Sequence, residues 1–105
     1  MDFKSKIRRL YKYEKNLLLD PVIMYEVVDE FQNKLLVIIE TIDDIEVKLA
    51  IANAINQLSY ALKERKVRRQ LVAFDTAAHL IHPHWDKSPA LAKLVAELKE
   101  RRWDA

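Results

Sequence analysis

The stretch from Asp20 to Ala50, "DPVIMYEVVDEFQNKLLVIIETIDDIEVKLA", decides the fold. It opens on Asp20-Pro21, a helix-start signal, because an aspartate can cap the first free N–H groups and proline suits the first helical position. Met24, Val28, Phe31, Leu35, Ile38 and Ile42 then recur alternately four and three apart, the spacing of one buried helical stripe. Ile45, Leu49 and Ala52 continue the alternation, so one long helix competes with two shorter ones. An unbroken helix in so small a chain would require a coiled-coil partner strand. The segment "ETIDDIE" decides for a break near residues 41–43. Threonine and paired aspartates are mediocre inside a helix but good at its start, with Thr41 or Asp43 as the cap and Asp44 or Glu46 near its third position.

Working outward, neither glycine nor a further proline occurs between Pro21 and Pro83, and the chain as a whole has no glycine at all. Average usage would supply about seven. Tight hairpins and phosphate-cradling loops need glycine's positive φ, whereas a helical bundle with short turns needs it least. The expected fold is therefore all-α, a small bundle of four or five mostly antiparallel helices. A length of 105 residues, 50% hydrophobic and 32% charged, suits a single domain over residues 1–105.

The flanking helices follow from the same rules. Phe3, Ile7, Leu10, Leu17 and Leu18 form one stripe, interrupted at Glu14, of a helix expected to end near Asn16 to Leu19. "LAIANAINQLSYAL" (Leu49–Leu62) carries no charge, so it should be covered on most sides, as a central helix or a subunit interface. Its stripe Ile51, Ile55, Leu58 and Leu62 is the candidate protein interface. Asn53, Asn56 and Gln57, on a stripe with Glu46 and Tyr60, are expected to hydrogen-bond across helices. After the run "KERKVRR" (Lys63–Arg69), a stripe in a new phase (Val67, Leu71, Phe74, Ala78, Ile81) implies a turn, a kink, or a longer helix exposed at its middle. That helix should stop by His82, because a residue before proline is disfavoured in the α region. Ser88-Pro89 starts the last helix, which buries Leu91, Leu94, Val95 and Leu98.

Composition excludes several functions. Without cysteine there are no disulfides, thiolate metal sites or thiol nucleophiles. "MDFKSKIRR" has no apolar run behind its basic residues, and the longest apolar run, "LLVII", is far short of a membrane span. A cytoplasmic protein without membrane contact is expected. The serines lack nucleophile context and the carboxylates fall on solvent-facing stripes, so the expectation is a non-enzyme with no cofactor.

Three functional readings remain. The uncharged third helix, the long heptad and segregated charge suit a protein-binding regulator, inhibitor or adaptor, self-associating as a homodimer. The first twenty residues and "KERKVRR" are basic, while residues 21–62 are acidic. The alternative is therefore sequence-independent nucleic-acid binding through Lys4, Arg8, Lys12, Lys15, Lys63, Arg65, Lys66, Arg68 and Arg69, with Tyr11, Tyr13 and Tyr60 for stacking. Finally "HLIHPHWDKSP" (His79–Pro89) gathers every histidine. His79, His82, His84 and Asp86, with Asp75 on the same helical stripe, could surround zinc, nickel or cobalt. The same residues also read as a corner in which His82 closes a helix and Trp85 plugs the gap.

Overall fold

The computed structural model describes residues 2–15 and 19–101, and the side chains of all of these except 12–15. Among them there are five α-helices and no strand. These are α1 (Phe3–Lys15), α2 (Pro21–Ile39), α3 (Ile45–Lys63), α4 (Val67–Ile81) and α5 (Pro89–Leu98). Short 3-10 segments follow α4 (His82–Lys87) and α5 (Lys99–Arg101). No helix among the described residues is long and apolar enough to cross a membrane. The expected end of the first helix, together with Leu17 and Leu18, falls on residues 16–18, outside the described residues.

Four of the five helices start where a side chain satisfies their first N–H groups, and α4 starts after Lys66 without such a cap. The Asp20 carboxylate accepts from the N–H groups of Val22 (2.9 Å) and Ile23 (3.4 Å), and Ser88 Oγ accepts from Leu91 N–H at 3.0 Å. The break after α2 lies where expected, but its residues take other roles. The Thr41 hydroxyl donates to the Ile38 carbonyl at 2.7 Å and so finishes α2. Ile42 is buried in the turn, and Asp44 caps α3 by accepting from Glu46 N–H (2.9 Å) and Val47 N–H (3.3 Å). Asp44→Ala should therefore lower stability by about 0.5–2 kcal/mol. The exposed neighbour Asp43→Ala should stay within about 0.5 kcal/mol. Equal effects in urea unfolding would refute the assignment.

The α3–α4 turn shows how a chain without glycine ends a helix. Glu64 leaves α3 in an extended conformation (φ −78°, ψ 141°) instead of the left-handed one glycine would allow. Its carboxylate accepts from the N–H groups of Arg65 (2.9 Å) and Lys66 (3.2 Å). Buried Gln70 donates to the carbonyls of Ala61 (3.2 Å), which also accepts from the Glu64 N–H, and Glu64 (2.9 Å), so its amide seals the helix end. At the other corner α4 stops at Ile81, yet Pro83 does not expel His82 from the helical region. His82 sits at φ −53°, ψ −44°, and the chain continues in 3-10 turns until His84 (φ −105°, ψ 17°) interrupts them.

Packing follows the stripes. Phe3, Ile7 and Leu10, the stripe Met24, Val28, Phe31, Leu35, Ile38 and Ile42, then Leu71, Phe74, Ala78 and Ile81, and Leu91, Leu94, Val95 and Leu98 of the last helix are buried in one apolar cluster. Side-chain contacts set the antiparallel order. Lys6 reaches Glu26 (3.4 Å) and Glu30 (3.5 Å) on α2, and Gln32 of α2 donates to Ser59 Oγ (2.7 Å) and to the Ile55 carbonyl (3.2 Å) on α3. α3 runs between α2 and α4 and packs against both, while α1 and α5 pack on each other and on the rest of the bundle through α2 and α4.

Candidate protein interface

The burial of α3 reverses the expectation for its two faces. Val47, Ile51, Ala54, Leu58 and Ala61 are its inward stripe, fully covered by the bundle. Ile51 and Leu58 belong to the domain's own core, and Ile55 and Leu62 are partly buried against it. The stripe expected to bind a partner is therefore already occupied. The heptad of α2 does not continue either: Ile45 is 69% exposed and Leu49 58% exposed. The turn Glu40–Asp44 resets the helical phase, so Val47 takes the inward place that the unbroken alternation gave to Ile45.

What remains outside is the opposite stripe of α3: Ile45, Leu49, Asn53, Asn56, Tyr60 and Lys63, all exposed. At spacings of three and four they share one side of the helix, about 22 Å long from Ile45 to Tyr60 at about 1.5 Å per residue. Asn53 and Asn56 face solvent; the amides that bond between helices are Gln32 and Gln70. On one flank Leu36 of α2 lies one turn beyond Gln32 and is also exposed. On the other flank, Gln57, Tyr60, Arg69, Val72 and Ala73 line a hollow of about 180 Å³ between α3 and α4.

Charge is divided along this face. Asp43, Asp44 and Glu46 stand exposed at the Ile45 end, and Lys63, Arg65, Lys66, Arg68 and Arg69 stand exposed at the Tyr60 end. Glu64 tempers the basic end: the Tyr60 hydroxyl donates to it at 2.9 Å and Arg69 lies 3.8 Å away. The Lys66 backbone N–H, then the Tyr60 hydroxyl, hold the Glu64 carboxyl below its ordinary range, and the Tyr60 phenol is raised by the same carboxylate.

The basic residues of the first helix belong to another surface. Lys4 (3.5 Å) and Arg8 (2.8 Å) both pair with Glu100 in the C-terminal turn, and the Arg8 guanidinium holds that carboxyl below its ordinary range. Lys12, Lys15 and Tyr13 lie outside the described side chains. Among the described residues α1 packs mainly on α2, α5 and the turn after α5, whereas the second basic segment joins α3 to α4.

The histidine corner does not assemble as a ligand set. Among the described residues no three His, Asp or Glu side chains come together where a metal ion could be held, His79, His82, His84 and Asp86 included. The Asp75 carboxylate is instead 2.8 Å from the Arg101 guanidinium. Trp85 does not plug the corner: it is 53% exposed. A second groove, of about 390 Å³, runs between α2 and α5 over Val37, Ile38, Ala90 and Leu94. On its rim Glu30 is engaged by Lys6 and Lys34.

Comparison of the chain with family models, with curated proteins and with solved structures found no match.

Proposed function

We propose that this is a non-enzymatic protein that works by binding another protein, in the manner of a small regulator or adaptor, through the outer face of α3. The observation that carries the reading is an exposed helix face with large apolar side chains at Ile45, Leu49 and Tyr60 and no charge between Lys48 and Lys63. Large apolar side chains on an otherwise polar surface, rimmed by charge, mark interaction sites. Apolar contact supplies affinity, and the acidic and basic ends orient the approach.

A photo-crosslinking amino acid at position 49, introduced in the native host, tests this. It should capture protein, while the same group at exposed Lys87 should not. A position 49 that captures nothing above the Lys87 background refutes the reading.

A further inference from the structure

We infer that the partner of this face is a second copy of the chain, docked antiparallel, α3 on α3, about a two-fold axis passing between Ala52 and Asn53. The inference rests on the protein-binding reading above and names its partner.

Spacing favours the two-fold. A two-fold contact brings the same surface from both copies, so the stripe must match itself when reversed. Reversal of α3 about that axis sets Ile45 opposite the second copy's Tyr60, Leu49 opposite Asn56 and Ala52 opposite Asn53. Four of the five outward positions from Ile45 to Tyr60 face another of the five, and Asn53 meets half-buried Ala52 beside the axis. The two largest apolar groups then fall at opposite ends of the contact.

Shape favours the same arrangement. The hollow of about 180 Å³ walled by Gln57, Tyr60, Arg69, Val72 and Ala73 lies at the Tyr60 end. Ile45, 69% exposed, projects at the other end. Antiparallel docking delivers the Ile45 of each copy to the hollow of the other, giving two identical knob-and-hollow contacts about 22 Å apart. A parallel arrangement would set knob on knob and leave both hollows vacant.

Charge points the same way. The Ile45 end carries Asp43, Asp44 and Glu46, and the Tyr60 end carries Lys63, Arg65, Lys66, Arg68 and Arg69, all exposed. Antiparallel docking sets acid against base at both ends, whereas parallel docking sets like against like, which costs affinity. Arg69 lines the hollow itself, in reach of the acidic residues that would arrive with Ile45. The contact is narrow, so the dimer belongs with weak, exchanging assemblies that bury less than about 1,200 Å² in total.

Sedimentation across dilution and crosslinking of single-cysteine variants test the inference together. The chain has no cysteine, so each introduced thiol is the only one present. The wild type should pass from dimer to monomer on dilution. Leu49→Glu, an exposed position that leaves the core intact, should weaken association about a hundredfold, because the two-fold places the new carboxylate in the contact twice. A short bis-maleimide should join two copies of Asn53→Cys but not two copies of Ile45→Cys, whose thiols are held at opposite ends. The double variant Ile45→Cys/Tyr60→Cys should be joined again. A chain that stays monomeric at every concentration overturns the inference, as does efficient crosslinking of Ile45→Cys alone. Capture of a different protein from position 49 by a monomeric chain would leave the protein-binding reading standing and remove only the second copy.

Discussion

Phe74→Ala is expected to lower the unfolding free energy by about 3–5 kcal/mol, measured by urea denaturation with an unchanged m-value. Phe74 is fully buried on α4 and meets Phe31 of α2 edge-on, with ring centroids 5.4 Å apart and planes inclined at 74°. An aromatic pair in this geometry contributes about 0.5–1.5 kcal/mol beyond the area it buries. Truncation also leaves a cavity beside Phe31, which neighbouring helices can fill only in part. A domain of this size has a total stability of about 5–15 kcal/mol, so the variant should stand close to unfolding at room temperature. Val72→Ala, two residues earlier on the same helix but exposed, should change stability by no more than about 0.5 kcal/mol. A loss below about 1.5 kcal/mol at Phe74 would mean that α2 and α4 close over the space, and that the aromatic contact does not organise the core. The double variant with Phe31→Leu separates the pair contribution from the cavity.

Phe74 also shows how far the sequence carries the fold. Its stripe, like Met24 to Ile42 and Leu91 to Leu98, is legible because burial repeats with the helical period and needs only neighbours three and four residues away. The caps at Asp20 and Ser88 are legible for a similar reason: a short polar side chain followed by proline acts on its own helix. What escapes is whatever depends on phase across a turn. Nothing local says that Thr41 spends its hydroxyl on Ile38, which leaves Asp44 to cap α3 and turns Ile45 and Leu49 outward. The stretch Leu49–Leu62 was readable as uncharged, but not which of its two uncharged faces the bundle would take. That ambiguity hid the candidate interface behind Ile51 and Leu58.

The amides illustrate the same limit. Gln32 and Gln70 carry the bonds expected of Asn53 and Asn56. A glutamine's partner is a carbonyl or hydroxyl on another helix, fixed only once the helices are side by side. Pairing between distant segments is the least visible feature of all. No motif joins Asp75 to Arg101, or Arg8 to Glu100, although the first pair ties the turn after α5 to α4 and the second ties it to α1.

Asp75 and Arg101 give the second large effect. Arg101 is only 5% exposed, and its Nη2 donates to Asp75 Oδ2 at 2.8 Å, which locks the turn after α5 onto α4. The enclosed guanidinium loses most of its water, and the carboxylate replaces that hydration with a short, charge-assisted hydrogen bond. Asp75→Ala removes the carboxylate and keeps the cation enclosed. A cost of about 2–4 kcal/mol is expected, below the about 3–5 of a wholly buried pair because the Asp75 side chain is 28% exposed. Arg101→Met should cost less, since its chain fills much of the same space and needs no counter-charge. Asp75→Leu with Arg101→Met should return to within about 1 kcal/mol of wild type, because an apolar pair of similar volume avoids the desolvation that the ion pair must offset. If the double variant is instead as unstable as Asp75→Ala, then packing around the turn, and not the enclosed charge, sets the cost. A charge-driven cost also predicts that Asp75→Ala is the most damaging of the three, an order that a thermal melt of the variants reads directly.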